Sequence, residues 1–391
     1  MTLMESNMNQ NKHILHPEEE ILFGNFQHGH DTLIEVHNKL TGISSDIDIT
    51  YKMDGSPAIV FGHHPINKKF FVGTKSVFNI TPKINYSLED ITKNHGTNAK
   101  LTKILKLCFE LLPATVINKT GIYQGDILFI EDDKKYYDEY ITFTSNTITY
   151  QSVIHQNDYE EIEESMLGIA IHTAYVGEAE NDSTLTGLVS KPITRYELGY
   201  TREVYIPDLF VDVAKALPSK NQLSKVFLER AQLQYDTLSV AENELIVKHG
   251  KFLKMFYNHN IKNGVYTFTD VGPTDYYVFL EQHLDDNISK YKTQKSIDKY
   301  TDIKNNYLLD ITDNVTMFMT LMLIYANIVN AKNFLVSSLN TVPMDMNHYI
   351  NDESTSPEGY VACSKTCMSK LVHRHVFSKH NFITFQQKSN H

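Results

Sequence analysis

The chain has few of the residues that are typical of secreted or irregular proteins. Its 391 residues include only three cysteines, 11 prolines and 17 glycines, while 41% are hydrophobic. Three cysteines are too few for a disulfide framework, and no charged segment followed by an apolar one begins the sequence. These features predict a folded, globular protein in a reducing cytoplasm.

Long apolar runs are also scarce. The most apolar helical pattern, at about residues 315–339, is interrupted by Asn327, Asn330, Lys332 and Asn333. Its uninterrupted part is too short to cross a bilayer. The pattern therefore predicts a core helix and no contact with a membrane.

Charge is unevenly distributed. The net charge of −11 opposes nonspecific binding to nucleic acid. No Asp or Glu follows Glu358, whereas five cations do: Lys365, Lys370, Arg374, Lys379 and Lys388. A solvated basic tail is one interpretation. The apolar residues spaced among these cations favour a folded segment that faces phosphate.

Periodicity predicts an α+β protein. Helical spacing is found at about 33–40 and 100–112, and strand patterns at 47–80, 121–130, 140–154 and 167–176. From about 205 to 340 the pattern is mainly helical. The helix candidates there are 207–217, 219–235, 239–260, 273–292, 295–310 and 314–339.

The segment from Tyr51 to Val60 places Lys52 just before Asp54-Gly55, and the apolar run 59–61 follows. This order predicts a β-hairpin with the lysine at its mouth. A lysine whose pKa is lowered by burial or by neighbouring cations can attack phosphorus. The match is short, and an ordinary surface turn has the same pattern.

This segment resembles the nucleophile motif of the covalent nucleotidyltransferase superfamily, which comprises DNA ligases, RNA ligases and mRNA capping enzymes. The run 52–62 is most similar to ligase-like proteins of large tailed phages. The resemblance implies a core of antiparallel sheets with flanking helices, and ATP and Mg²⁺ as cofactors. It also implies the cytoplasm of an infected host cell.

Three further segments resemble superfamily motifs in the expected order. Lys75 ends an aromatic run like the one that contacts the nucleotide sugar and phosphate. Asp126 stands in the position where ligases carry a glutamate. His172 or Tyr175 lies in the strand that supplies the ring packed on the purine.

The last two motifs lie near the C-terminus. Glu358 begins a Glu-Gly-x-Val sequence, which resembles the motif whose glutamate holds the catalytic metal. Lys370 resembles the final motif lysine, although Met368 occupies the position of the first lysine there. The resemblance implies that Glu358 and Asp126 hold Mg²⁺.

The resemblance assigns catalysis to Lys52, Asp54 and Lys370. Lys52 would attack the α-phosphate of ATP, and Asp54 would orient the lysine or the second substrate. The nucleotide would contact Tyr51, Gly55, Lys75, Asp126, His172 and Glu358. The acceptor would be RNA or a nicked nucleic acid.

The motifs divide the chain into three parts. Residues 1–204 form the first part of the nucleotidyltransferase core, 205–345 a mainly helical insertion, and 346–391 the return segment. The insertion resembles accessory domains that close over nucleic acid, and a packing role is equally compatible. Few residues follow Lys370, so an RNA-ligase-like architecture is favoured over that of a full DNA ligase.

Alternatives remain open at this point. The chain could be a catalytically degenerate member that binds nucleotide or nucleic acid, or it could pass AMP to a protein acceptor. Cys363 and Cys367 with His373 and His375 suggest zinc, but buried structural thiols are favoured. The nucleotide base, protein partners and oligomeric state are not predicted.

Overall fold

The computed structural model describes residues 14–116, 121–193, 198–217, 221–265, 270–364 and 368–374. Within these residues the protein is 47% helical and 22% strand. Every strand pair is antiparallel except the short pair of β8 (Leu167–Val176) with β10 (Val204–Tyr205). The α+β prediction is confirmed.

The described part of the chain has fourteen strands. They are β1 (Asp48–Lys52), β2 (Ala58–His63), β3 (Phe70–Gly73), β4 (Ile122–Ile130), β5 (Lys134–Tyr136), β6 (Tyr140–Ser145), β7 (Ile148–Val153), β8 (Leu167–Val176), β9 (Val189–Pro192), β10 (Val204–Tyr205), β11 (Asn347–Ile350), β12 (Glu353–Thr355), β13 (Gly359–Cys363) and β14 (Met368–Leu371).

The same residues form ten α-helices. They are α1 (Pro17–Glu20), α2 (Phe26–Leu40), α3 (Leu88–His95), α4 (Ala99–Leu111), α5 (Tyr159–Glu164), α6 (Asn221–Tyr235), α7 (Val240–Lys262), α8 (Pro273–Ile288), α9 (Gln294–Asp313) and α10 (Val315–Leu339).

Three sheets organise the strands. A six-stranded sheet has the order β10-β8-β4-β2-β3, with β9 paired to β8. A five-stranded sheet has the order β12-β11-β7-β6-β5, and a three-stranded sheet has the order β1-β13-β14. Helices α3 and α4 pack on one face of the six-stranded sheet, and the five-stranded sheet packs on the other through Phe129, Phe143 and Tyr150.

The predicted hairpin around Lys52 is wrong. Strand β1 pairs with β13, whereas β2 pairs with β3 and β4, so residues 53–57 cross from one sheet to another. The Asp54-Gly55 pair lies between two sheets because β1 pairs with β13, far along the chain, whereas β2 pairs with β3 and β4. Lys52 thus ends a strand of the smallest sheet.

Two other predictions need correction. Residues 207–217 are mostly irregular, with one 3₁₀ turn at Val213–Lys215, because this segment runs along β1: the Tyr51 amide donates to Leu209 O (2.7 Å) and the Val211 amide donates to Ile49 O (2.8 Å). The run 140–154 is two strands joined at Asn146, whose positive φ of 53° forms the turn. The other helix candidates match α6 to α10 within a few residues.

One hydrophobic cluster joins the helical region to the three-stranded sheet. We call it the shared core: it combines residues of α2 and α6–α10 with residues of β1, β13 and β14, such as Leu33, Ile49, Tyr360 and Leu371. All four are at most 2% exposed. The helices therefore form the second layer against this sheet.

Helix α10 is long and apolar enough, by length and composition, to cross a membrane. In the structure, 61% of its most apolar window is buried inside the protein. It packs mainly against α6 and also contacts α1, α2 and β14. Its surroundings are those of a core helix, as the interrupted apolar run predicts.

Candidate active site

The three-stranded sheet presents its polar face away from the shared core. Lys52 pairs with Gly359, and Lys370 pairs with Val361, which in turn pairs with Thr50. Residues directly opposite in antiparallel strands point to the same face, and residues two apart in a strand do so as well. Lys52 and Lys370 therefore lie on one face, in neighbouring rows of the sheet.

Glu358 lies immediately before β13 and forms an ion pair with Lys52. The lysine side chain is 27% exposed and the glutamate side chain 9%. Burial raises the pKa of Glu358, and the negative charges of Asp54 and Asp126 add to this rise, while Lys52 opposes it. The carboxylates of Glu358, Asp54 and Asp126 and the ammonium of Lys52 are thus close enough for their charges to change the pKa of Glu358.

Asp54 supports the turn after Lys52. Its Oδ1 accepts a hydrogen bond from Asn146 Nδ2 (3.0 Å), and its Oδ2 accepts one from the Thr147 amide (2.8 Å). The Asp54 amide donates to the hydroxyl of buried Tyr150 (2.7 Å). Because both carboxylate oxygens bind the β6–β7 turn, Asp54 fixes the position of the residues that carry Lys52.

Gly55 brings this turn against β4. A Cβ atom on Gly55 would lie 2.7 Å from the Asp126 Cβ and 3.0 Å from the Ile127 carbonyl oxygen. Only a residue without a side chain permits this approach. Gly55 therefore sets how closely the Lys52 turn approaches Asp126, and its role is that of a spacer.

Asp126 and His172 come from neighbouring strands of the six-stranded sheet. His172 Nε2 lies 3.5 Å from Asp126 Oδ2, and its Nδ1 lies 2.8 Å from the Thr173 hydroxyl. Both side chains are between a quarter and a third exposed. The pair is thus accessible, and its carboxylate is close enough to influence Glu358.

Lys370 is the second cation of the site. Burial lowers its pKa, and the charge of Lys52 lowers it further, whereas Glu358 and Glu19 oppose the change. A half-buried ammonium with carboxylates near it needs no external anion to be tolerated. The position of Lys370 is therefore compatible with a bound phosphate without requiring one.

Tyr51 and Tyr175 pack away from the polar face that carries Lys52, and Lys75 makes no polar contact with Lys52 among the described residues. Tyr51 is on the opposite face of β1, where it packs on Tyr360 (5.5 Å between ring centroids), and burial raises its pKa to about 12. Tyr175 is buried and donates to Gln124 Oε1 (2.7 Å). Exposed Lys75 follows β3 at the sheet end that carries Asp126, and within the described residues no hydrogen bond or ion pair joins it to Lys52.

The zinc alternative gains no support. Cys363 is buried in β13, while Cys367 and His375 fall outside the described residues. In the described part of the chain, no group of three or more His, Cys, Asp or Glu residues is arranged to hold a metal.

The sequence patterns did not predict a buried ionic network that lies beside Lys370. Glu18, Glu19 and Glu20 of α1 are all at most 5% exposed. Glu18 pairs with Lys332 of α10, and Glu19 pairs with Lys254 of α7. Pro17 followed by acidic residues is a recognisable helix start, but nothing local signals its burial.

Comparisons with known proteins, with solved structures and with family models bear on the identity of the chain. No curated protein and no solved structure matches the chain. A family model described as a family of unknown function matches residues 11–386. Since this match spans nearly the whole sequence and includes Lys52, Glu358 and Lys370, the chain belongs to that family of unknown function, DUF6267.

Proposed function

We propose that the protein is an ATP-dependent, polynucleotide ligase-like nucleotidyltransferase that forms a covalent lysyl-AMP intermediate on Lys52. The observation that carries the proposal is the meeting of Lys52, Glu358 and Lys370 on one face of the three-stranded sheet, although they lie far apart in the sequence. Asp126 and His172 lie on the neighbouring sheet.

The first step would join Lys52 to the nucleotide. The Lys52 ammonium leaves its ion pair with Glu358 and passes a proton to water, and the free amine attacks the α-phosphorus of ATP. The new N–P bond replaces the P–O bond to the departing pyrophosphate. Lys370 supplies positive charge where the phosphate oxygens gain negative charge.

Mg²⁺ suits the donors of this site. Glu358 and Asp126 are hard oxygen ligands. Burial is the main cause of the raised pKa of Glu358, and Asp54 and Asp126 add a repulsion that a divalent cation would relieve. Glu358 and Asp126 would hold the ion, which would neutralise charge on the phosphates. Asp54 stays with Asn146 and Thr147.

The second step would pass AMP to a phosphate at the end of RNA or of a nicked strand. The resemblance to ligases supports this acceptor. A screen of nucleic-acid and protein acceptors would distinguish it from transfer to a protein side chain.

Radiolabelled ATP tests the proposal. With α-³²P-ATP and Mg²⁺, the protein should acquire an acid-labile, base-stable label on Lys52, and one pyrophosphate should be released per label. Lys52→Ala should abolish the label, and Lys370→Ala should slow labelling by about 10². Lys103→Ala is the matched control because Lys103 is exposed and pairs only with Asp132 among the described residues. A wild-type protein that never labels would refute the proposal.

The second candidate is a protein that binds nucleotide or nucleic acid without turnover. The ion pair of Lys52 with Glu358 favours it, because the nucleophile and the proposed metal ligand neutralise each other. The side chain of Asp126 is shorter than the glutamate that ligases carry at this position, and this difference also favours a protein without turnover. Binding of ATP by wild type and Lys52→Ala alike, with no label on either, would support this candidate.

A further inference from the structure

The segment Leu15–Glu20 lies against the strand that carries Lys370. The Lys370 amide donates to the Leu15 carbonyl oxygen (3.0 Å), and His16 Nδ1 lies 3.2 Å from the Lys370 carbonyl oxygen. The segment thus contacts both backbone polar groups of Lys370 on the edge of β14. Desolvation of the half-buried His16 ring, aided by the nearby charges of Lys332 and Arg374, lowers its pKa well below the usual value, so a neutral imidazole faces the strand.

Glu19 of the same segment adds ion pairs to this backbone contact. Its carboxylate is almost fully buried and lies 3.0 Å from Lys254 Nζ and 3.4 Å from Arg374 Nη1. Arg374 follows Lys370 by four residues, just after the end of β14, and Lys254 belongs to α7. A buried carboxylate is stable only when such partners compensate it.

The charges of two groups of residues act on the pKa of Lys370. Lys52 and Glu358 belong to β1 and to the start of β13, and Glu19 and Lys254 belong to α1 and α7. Glu19 is too deeply buried to reach a nucleotide itself. Its negative charge acts on the site through Lys370 and Arg374.

We propose that Glu19 is a positioning residue of the Lys52 site, which holds the strand and the ammonium of Lys370 in place for the phosphate. The inference rests on the proposed function, because the role assigned to Lys370 belongs to that reaction. It adds α1 and α7 to the elements on which the reaction depends.

Glu19→Gln tests the role, and Glu20→Gln is its matched control. Glu20 lies in the same helix and is equally buried, but its ion-pair partner is His28. In single-turnover labelling, Glu19→Gln should lower the rate at least about tenfold with little change in the Kd of ATP, and Glu20→Gln should stay within about twofold of wild type. Glu19→Asp, which keeps the charge, should recover part of the rate.

A double-mutant cycle separates positioning from general destabilisation. In a Lys370→Met background, Glu19→Gln should cause no further loss of rate, since its effect passes through Lys370. Equal rates for Glu19→Gln and Glu20→Gln, or additive losses in the cycle, would overturn the inference and leave the proposed function standing. Should Glu19→Gln not fold, Glu19→Asp and Glu20→Asp carry the same comparison.

A second readout does not depend on nucleotide transfer. Acylation of lysine amines, mapped by mass spectrometry, should be several-fold faster at Lys370 in Glu19→Gln than in Glu20→Gln, because loss of the nearby negative charge favours the free amine. Lys103 should react equally in both. If wild type never labels but Lys370 responds in this way, the proposed function fails and the positioning contact stands. Equal reactivity of Lys370 in both variants would refute the contact.

Discussion

At the scale of single residues, the contacts that hold the turn after Lys52 extend through Tyr150 to a buried histidine. Tyr150 accepts the hydrogen bond of the Asp54 amide, and His348 of β11 packs edge-on against the Tyr150 ring, 5.0 Å between centroids. Burial lowers the pKa of His348 to about 4. The imidazole is therefore neutral at pH 7 and packs as an apolar ring.

This burial makes the stability of the protein depend on pH. Because the pKa of His348 is lower in the folded than in the unfolded chain, its contribution is complete above about pH 6.5 and is lost as pH falls through 4. The shift corresponds to about 3 kcal/mol. Chemical denaturation at pH 7 and pH 4 should show a smaller acid-induced loss for His348→Leu than for wild type.

His155→Leu is the control for that comparison, since His155 is exposed on the loop after β7. It should lose as much stability on acidification as wild type does. The same pH dependence in His348→Leu and wild type would show that His348 does not titrate in this window.

At the scale of elements, α1 is joined to α10 through a fully buried ion pair. The side chains of Glu18 and Lys332 are at most 1% exposed. Burial lowers the pKa of Lys332, and Glu18 opposes this change. A pair of this kind is costly to break, because the remaining charge stays buried without a partner.

Lys332→Met should therefore reduce the free energy of unfolding by about 3–5 kcal/mol. Adding Glu18→Gln to the Lys332→Met variant should recover much of the loss. Urea denaturation measures both. Lys225→Met is the control, because Lys225 and Glu229 of α6 form an exposed pair 3.9 Å apart, worth less than about 1 kcal/mol. Similar losses for the two lysine variants would contradict the assigned role of the buried pair.

At the scale of the whole molecule, the helical region and the site share one core. Leu33, Ile49, Tyr360 and Leu371 lie in one hydrophobic cluster with residues of α6–α10, so the sequence segment predicted as an insertion packs in the same core as the sheet that holds Lys52. Each such side chain contributes about 1.5–3 kcal/mol through burial. Their combined exposure would remove most of the stability of about 5–15 kcal/mol that is typical of a domain.

Excision of residues 221–339, with the flanks joined by a flexible linker, should therefore give a chain that does not unfold cooperatively. Thermal unfolding followed by circular dichroism provides the measurement, and the full-length protein is the reference. A soluble, cooperatively unfolding product that still labels on Lys52 would show that the helices are a separate lobe.

Periodicity alone predicted most of the helices. Residues 100–112 were expected to be helical, and α4 spans Ala99–Leu111, since apolar spacing and Pro113 are both local signals. Helix α1 was missed because a run of three glutamates indicates exposure, and its burial depends on cations that come from distant parts of the chain: Lys254, Lys332 and Arg374. The segment 207–217 was misread because its partner is a strand that begins some 160 residues earlier.

The sequence by itself determined the residue types of the candidate site: a lysine before a spacer glycine, a glutamate before one strand and a lysine within the next. Only the tertiary structure decided that β1 pairs with β13, that Tyr51 packs on Tyr360, and that Asp54 binds the β6–β7 turn. Strand alternation is a local property, readable once a strand is known. Pairing between distant strands depends on which faces bury the most apolar surface together, and no short segment contains that information.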